Sequence, residues 1–580
     1  MSWKPQTEEI AHVLLELTGF GKALDGGRIA GLDRELVMAI LEEAGRFAES
    51  EIAPLNRIGD IHGCAFDAQT KQVATPPGWK AAHEAFCAAG WASASGEEAF
   101  GGQGMPLVLS LALQELWNSA SMAFGLGPLL TQGACETLAR FGSEELRARY
   151  LPQMISGVWA GTMCMTEPQA GSDLSTIRTR AEPDGKGGYS LRGEKIFISY
   201  GEHDLTENIV HLVLARLPDA PAGTRGLSLF LVPKVLPDGG RNAVRAGGLE
   251  HKLGIHGSPT VSLLFEGAQG WLVGEANRGL HHMFTMMNNA RLHIGMQGVA
   301  VAERAWQKAL AHARERRQGH RPGREGPVPI IEHADVRRML LDMRVKVMAA
   351  RAICYETAWN MDMARRASDA ALRAQAADRA ALLTPVAKAF GTDVGVEVAD
   401  AAIQVHGGMG YMEETGAAQL LRDARIAPIY EGANGIQALD LVMRKLGLDG
   451  GLAMQRYMDE ASGLITAAKE SGRLAKVAER LAWALRTLGE ATRFMGAAIE
   501  ARDERAQASA VPFLRLFALF AGGMALLRGA LAGADARRLF VAEHYAASLL
   551  PETASLKMRI MHSGGIVSRE ALDFLRGDTP

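Results

Sequence analysis

The stretch Pro428-Ile429-Tyr430-Glu431-Gly432-Ala433-Asn434-Gly435 sets one carboxylate among apolar neighbours and follows it at once with small residues. A carboxylate beside Ile429 and Tyr430 is a poor surface group, and desolvation raises its pKa toward the range in which it can take a proton from carbon. The glycines let the main chain lie close to a cofactor's ring or phosphates. Taken alone, a Tyr-Glu-Gly tripeptide is more often a helix N-terminal Glu in an ordinary turn. The blocks that accompany this segment along the chain decide against that reading.

Working outward, the segment is preceded by Leu421-Arg422-Asp423-Ala424-Arg425 and by Gln404-Val405-His406-Gly407-Gly408-Met409-Gly410-Tyr411. Far upstream stand Met163-Cys164-Met165-Thr166-Glu167-Pro168-Gln169-Ala170-Gly171-Ser172-Asp173 and Lys195-Ile196-Phe197-Ile198-Ser199-Tyr200-Gly201. Each block alone is weak. In this order and spacing, over roughly residues 31 to 446, they resemble the acyl-CoA dehydrogenase family, with its T-E-P-x-A-G-S-D, K-x-F-I-S, Q-x-x-G-G-x-G-[FY], R-D-x-[RK] and Y-E-G patterns.

The resemblance implies FAD as cofactor. It lays the strand of Met165 and Thr166 along the isoalloxazine ring, with the Thr166 hydroxyl at the pyrimidine end and Ser172 reaching the pyrophosphate and the substrate. It places Phe197 over the ring and the Ser199 hydroxyl on N5, where the family more often has Trp and Thr. Arg316 and Gln318 fall on the pyrophosphate and adenine side. Gln404 and Gly408 contact the adenosine half of an FAD held mainly by a neighbouring subunit. Ala433 stands where the family has a phosphate-binding Thr, so backbone N–H groups take over there, and Gly435 stands where many members have Gln. Arg291 and Gly432 belong to the substrate side. Some members carry the base just before the residue matching Arg291; here that position is Ala290, which cannot act as one, so the resemblance implies Glu431 as the base. Asn288 replaces the acid often found three residues before Arg291.

The implied activity is α,β-dehydrogenation of an acyl-CoA thioester to the trans-2-enoyl-CoA. Neither the weakly acidic Cα proton nor the Cβ hydride leaves easily alone, and a carboxylate on one side with a flavin on the other removes both together. The N–H of the base and a ribityl hydroxyl polarise the thioester oxygen. In length the chain resembles a larger subgroup of the family that carries a C-terminal helical extension, and that resemblance implies 3-methylthiopropanoyl-CoA or a short- or medium-chain acyl-CoA as substrate, within fatty-acid β-oxidation. An electron-transferring flavoprotein is the expected acceptor; an acyl-CoA oxidase using oxygen is the nearer alternative. Met283, Met286, Met287 and Met296 are either an adaptable acyl pocket or ordinary core.

Periodicity and resemblance together give an α+β, mainly α chain. A helical N-terminal domain spans 1–160, with runs Leu36 to Ile52 and Val108 to Arg140; a barrel-like β-domain spans 161–275; a four-helix bundle of four long segments spans 276–446; and an extra helical region spans 447–580. The extension is expected to supply homodimer contacts, although its Ala and Leu stripes suit intramolecular core equally well.

The 580 residues, 48% hydrophobic and 22% charged with net charge −3, are those of a large globular enzyme and call for neither nucleic acid nor an anionic membrane. A DNA-associated relative of the same fold is the rival from another class. It requires a basic extension, whereas residues 451–580 hold 17 Lys and Arg against 14 Asp and Glu. Five cysteines without ligand-like spacing indicate buried free thiols, and no metal site is expected. Met1 to Gly19 lacks the pattern of a signal peptide, no apolar run reads as a membrane span, and Gly577-Asp578-Thr579-Pro580 is not a peroxisomal signal. A cytoplasmic location is expected.

Overall fold

The computed structural model describes residues 3–533 and 535–577. The terminal positions Met1, Asp578, Thr579 and Pro580, read above for targeting signals, lie outside these. The chain begins with α1 (Thr7–His12), α2 (Phe20–Asp25), α3 (Arg34–Phe47) and α4 (Leu55–His62). The two-residue strands β1 (Ala65–Phe66) and β2 (Val73–Ala74) lead to α5 (Trp79–Ala88), α6 (Leu107–Ala120), α7 (Met122–Phe141) and α8 (Glu144–Ile155). The sheet follows: β3 (Trp159–Cys164), β4 (Arg180–Pro183), β5 (Tyr189–Ser199), β6 (Asn208–Arg216), β7 (Leu227–Pro233), β8 (Val244–Leu249) and β9 (Thr260–Leu272). Then come α9 (Gly279–Glu315), α10 (Ala334–Arg366), α11 (Ala370–His406), α12 (Ala417–Ala424) and α13 (Asn434–Asp440). The last stretch holds α14 (Leu452–Glu470), α15 (Ala475–Glu500), α16 (Arg505–Ala508), α17 (Ala510–Leu531), α18 (Ala536–Ser548), α19 (Glu552–Met561) and α20 (Arg569–Arg576).

Two compact units result, one of residues 43–293 and one of residues 1–42 with 294–580. In the first, the expected run from Val108 to Arg140 is two helices. Ser121 is extended (φ −159°, ψ 109°), and its side chain accepts from Phe124 N, capping α7. Trp117 on α6 anchors an aromatic core, with ring centroids 5.4 Å from Trp91, 5.5 Å from Phe86 and 5.9 Å from Phe47. The strands run β3-β6-β4-β5-β9-β7, and β6 also pairs with β7, so five of them close a ring. β6 sits inside this arrangement, paired to β3 in parallel and to β7 antiparallel, and its unbroken apolar run is buried along eight of its nine positions. The ring is filled by Cys164, Leu191, Val213, Phe230, Val261 and Phe265.

In the second unit only three of the four bundle helices are long. The fourth place is taken by short α12 and α13, and Glu431 lies in the break between them. Four long segments were expected because periodicity reports the buried face and not its continuity. The helices containing Gly298 and Gly391 meet main chain to main chain: a Cβ on Gly298 would stand 2.2 Å from the Gly391 carbonyl oxygen.

The expectation about apolar runs is corrected by α17. It is long and apolar enough to cross a membrane by length and composition, with mean hydropathy 1.9 over its most apolar window. That window is 83% buried inside the protein, where α17 packs against α10, α15 and α19, so its Ala and Leu stripes are intramolecular core. Gly451, in a left-handed conformation, stands at the N-terminal cap position of α14.

Candidate active site

The flavin-side motifs lie in the first unit and are joined there. β3 ends at Cys164, and beyond Met165 and Thr166 the chain turns tightly, with Glu167 and Ala170 exchanging both backbone hydrogen bonds at 2.9 Å. Ile196 N donates to Thr166 O at 2.9 Å, and Lys195 Nζ donates to Met165 O at 3.0 Å. Lys195 Nζ also lies 2.8 Å from Glu167 Oε1, both side chains being buried. Glu167 accepts further from Thr179 Oγ1 (2.6 Å), Thr179 N (3.1 Å), Arg178 N (2.7 Å) and Gln169 Nε2 (2.7 Å). Burial alone would raise its pKa, but the Lys195 charge and these donors hold it at about 2.

This clamp sets the backbone of the second motif. The pairing of β5 with β9 breaks between Lys195 and Ile198. In that bulge Phe197 has a left-handed φ of 59° and is 61% exposed. A bulky residue there is strained by about 1–2 kcal/mol, and such strain marks sites where a side chain must be aimed. Ser199, two residues on, is half-buried and pairs with Thr260. Tyr200 is also left-handed, at φ 54°, and is fixed by its hydroxyl donating to Ala123 O at 2.6 Å. Thr166 is half-buried, and Ser172 is exposed beside Gly171, where a Cβ would meet nothing within 4 Å.

The same unit contains Arg291 on α9, buried, with Nη1 3.5 Å from Asn288 Oδ1. Ala290, Met286, Asn289 and His293 line one wall of a small cavity of about 10 Å³, and Leu130 and Gly133 of α7 line the other. Gly133 leaves space for Met286: a Cβ there would stand 2.9 Å from Met286 Cγ. His293 is buried, donates through Nδ1 to Asn289 O (2.8 Å), and has no partner at Nε2; burial lowers its pKa to about 4. The cavity therefore combines apolar walls with a neutral acceptor. Met283, Met287 and Met296 are core residues, and only Met286 of that cluster lines the cavity.

The second unit holds the remaining residues. Arg316 and Gln318, both exposed, begin the loop after α9, where Gln318 N donates to Val328 O (3.0 Å) and Ile330 N to Arg316 O (2.8 Å). His312 stacks on His406 with ring centroids 4.3 Å apart, bringing this loop beside exposed Gln404 and Gly408 at the end of α11. A Cβ on Gly408 would meet nothing within 4 Å, and neighbouring Tyr411 is 80% exposed.

Glu431 is in a turn and not in a helix. Glu431 (φ 54°) and Gly432 (φ 87°) are consecutive left-handed residues, and Glu431 Oε2 is buried. Before them, Tyr430 donates its hydroxyl to Gln297 Oε1; burial, then the Glu431 carboxylate, raises the Tyr430 pKa. After them, Asn434 N donates to Pro428 O at 2.9 Å, and α13 begins with Ala433 at the cap position making no side-chain cap bond. Ala433 thus leaves the N–H groups of the first turn without a competing side-chain acceptor.

These features fit a flavin dinucleotide. In the first unit an exposed aromatic face stands in a clamped bulge and Gly171 has open space above it; in the second, Gly408 likewise has open space above it. Among the described residues no group of three or more His, Cys, Asp or Glu is placed to hold a metal ion. Sequence reading passed over Lys195, Gln297, Lys388 and Asp393 as supporting residues. The available signal was a charged residue inside an apolar helical run, as in Val386-Ala387-Lys388-Ala389-Phe390.

Comparison with known proteins agrees along most of the chain. Residues 35–158, 162–268 and 277–446 match the N-terminal, middle and C-terminal domains described for acyl-CoA dehydrogenases, and residues 454–568 match the domain described as acetyl-CoA dehydrogenase C-terminal like. The chain is 46% identical over 546 residues to 3-methylmercaptopropionyl-CoA dehydrogenase of Ruegeria pomeroyi, covering 91% of this chain and 92% of that one. A butyryl-CoA dehydrogenase of Syntrophomonas wolfei is 37% identical over 74% of this chain and 73% of its own. Among solved structures, Caenorhabditis elegans ACDH-11 in complex with C11-CoA shares the fold at TM-score 0.80 and 22% identity, over 97% of each chain.

Proposed function

The chain belongs to the acyl-CoA dehydrogenase family, and on that premise we propose that Glu431 is the base of an FAD-dependent α,β-dehydrogenation of a short acyl-CoA thioester. The observation that carries this reading is the left-handed Glu431–Gly432 turn, tied down at Tyr430 on one side and at Asn434 on the other. A helix interrupted to present one carboxylate is costly unless that carboxylate has work to do. Glu431 takes the Cα proton, and its own N–H donates to the thioester oxygen as charge builds there. When bound, FAD supplies the acceptor for the Cβ hydride. Met165, Thr166, Ser172, Phe197 and Ser199 would hold its ring and pyrophosphate, Arg316 and Gln318 its pyrophosphate and adenine side, and the backbone at Ala433 its phosphates, while Gln404 and Gly408 would contact the adenosine half of the neighbouring subunit's FAD. Arg291, Ser172 and Gly432 border the substrate.

The acyl group is short, straight or thioether-containing. Support comes from Met286 lying over Gly133, which leaves only a small space beside Ala290, and from the relative named 3-methylmercaptopropionyl-CoA dehydrogenase. An electron-transferring flavoprotein is the acceptor. A homodimer in which the exposed Met409 and Tyr411 region faces the neighbouring subunit's cofactor accounts for two large apolar side chains in solvent.

Anaerobic addition of a panel from butyryl-CoA to palmitoyl-CoA, with 3-methylthiopropanoyl-CoA, tests the reading by flavin absorbance. Bleaching by the short members supports it; bleaching by palmitoyl-CoA alone refutes the proposed length, and no bleaching by any member refutes the activity.

A further inference from the structure

On its C-terminal side, the turn that presents Glu431 is anchored to α11 through the Asn434 amide. Asn434 Oδ1 accepts from Lys388 Nζ at 2.9 Å, and Asn434 Nδ2 donates to Asp393 Oδ1 at 2.7 Å. Lys388 and Asp393 sit on α11, so this side chain bolts the start of α13 to the bundle, while Asn434 N closes the loop on Pro428. Left-handed backbone at a non-glycine residue persists only where the surroundings over-determine it, and after Glu431 in the chain Asn434 joins Gln437, whose Nε2 donates to Gly432 O at 3.3 Å, in those surroundings.

The acceptor side of this bolt is backed by the C-terminal extension. Asp393 is largely buried, and burial raises its pKa; the strongest opposing influence is the charge of Arg515 on α17, with Lys388 of α11 acting in the same direction and Glu397 of α11 against it. Arg515 Nη1 pairs with Glu397 Oε1 at 2.9 Å, one turn beyond Asp393, and its guanidinium lies 5.3 Å from the Phe390 ring centroid. Glu397 is shared with Lys346 Nζ of α10 at 2.6 Å, and Glu552 of α19 holds Arg515 Nε at 3.3 Å. α17 also packs directly on α13.

We propose that Asn434 and Arg515 are positioning residues for Glu431, so that the C-terminal helical extension, through α17 and α11, sets the conformation of the turn that aims the base. The inference rests on the reading of Glu431 given above. It assigns the extension a part in turnover, which the shorter bundle alone does not provide for.

The test uses the FAD-loaded full chain and the thioester that bleaches the wild-type flavin fastest. For Asn434→Ala, Arg515→Met and Arg515→Lys, the bleaching rate constant at saturation, the thioester dissociation constant, FAD content and amide exchange of residues 428–437 are measured. A misaimed base costs on the order of 10²-fold in rate for Asn434→Ala and about 10-fold for Arg515→Met, with dissociation constants within about 3-fold and faster exchange confined to the turn. Arg515→Lys, which keeps the charge, restores most of the rate. Wild-type rates in Asn434→Ala and Arg515→Met overturn the inference; so does a slow Arg515→Met that Arg515→Lys does not rescue. If Arg515→Met does not fold, Asn434→Ala and Arg515→Lys decide: unchanged exchange and rate in the first refute it. Glu431→Gln, run in parallel, separates the two readings. Fast bleaching in Glu431→Gln refutes the base assignment, whereas its loss there together with wild-type rates in the other variants refutes only the positioning role.

Discussion

Lys195 and Glu167 form a buried ion pair, Nζ to Oε1 2.8 Å, that staples the segment of Thr166 just after β3 to the strand of Phe197 and Ser199. The two residues are 28 positions apart, and both are buried. Lys195→Met would leave the Glu167 carboxylate buried without its cation, at an expected cost of about 3–5 kcal/mol in unfolding free energy. Denaturant unfolding of the apoprotein measures it. Loss below about 1 kcal/mol would mean the pair behaves like a surface contact.

The same carboxylate gives acid stability a definite sign. Its pKa is depressed from an ordinary 4.5 to about 2, so its contribution is fully present above pH 4.5 and is lost as pH falls through that window toward 2. Wild type and Glu167→Gln are expected to converge in melting temperature as pH drops from 5 to about 2. A gap that stays constant with pH would show that the charge is not what stabilises.

Glu431→Gln keeps the turn's shape and removes the base. Bleaching by thioester is expected to slow by about 10³-fold or more, near the upper part of what a general base contributes, while FAD content stays at the wild-type level. Residual bleaching within about 10-fold of wild type moves the base elsewhere.

Phe197→Gly relieves a left-handed residue of its side chain and deletes the exposed ring. The apoprotein is expected to keep or gain melting temperature, with relief of about 1 kcal/mol, while FAD dissociates more readily. Lower apoprotein stability with unchanged FAD affinity would make Phe197 a packing residue.

Met286→Ala opens the cavity that Gly133 shapes. Preference is expected to move toward longer acyl chains by about 10-fold or more in kcat/KM ratio, the scale of one or two methylenes in an apolar pocket, with about 2–5 kcal/mol lost in stability. An unchanged chain-length profile would remove this cavity from the acyl path.

The blocks around Thr166, Phe197, Gln404 and Glu431 were legible because each needs particular residue types at short spacing, and the change from helical to alternating periodicity marked the sheet. What sequence could not show was continuity and long-range pairing. Ser121 breaks one apolar run and the turn at Glu431 breaks another without altering which positions are buried. Lys388, Asp393 and Arg515 act on Asn434 or its surroundings from 41 or more positions away, and no local pattern announces that. The apolar character of α17 was present in the residues, but Arg515 and Arg528 at its ends divided the run to the eye.

Glu9 and Arg538 meet at 2.7 Å across 529 positions of chain. On the ribosome, the residues of 43–293 are all available long before Arg538 is made, whereas α1 must wait for nearly the whole polypeptide before its partner exists. During that interval α17 emerges as an apolar segment whose covering helices α18 and α19 have yet to be translated. Synthesis therefore passes through a state in which the flavin-side unit can be complete and the base-bearing unit cannot, and the last helices act as the latch that ends exposure of the most water-averse part of the chain.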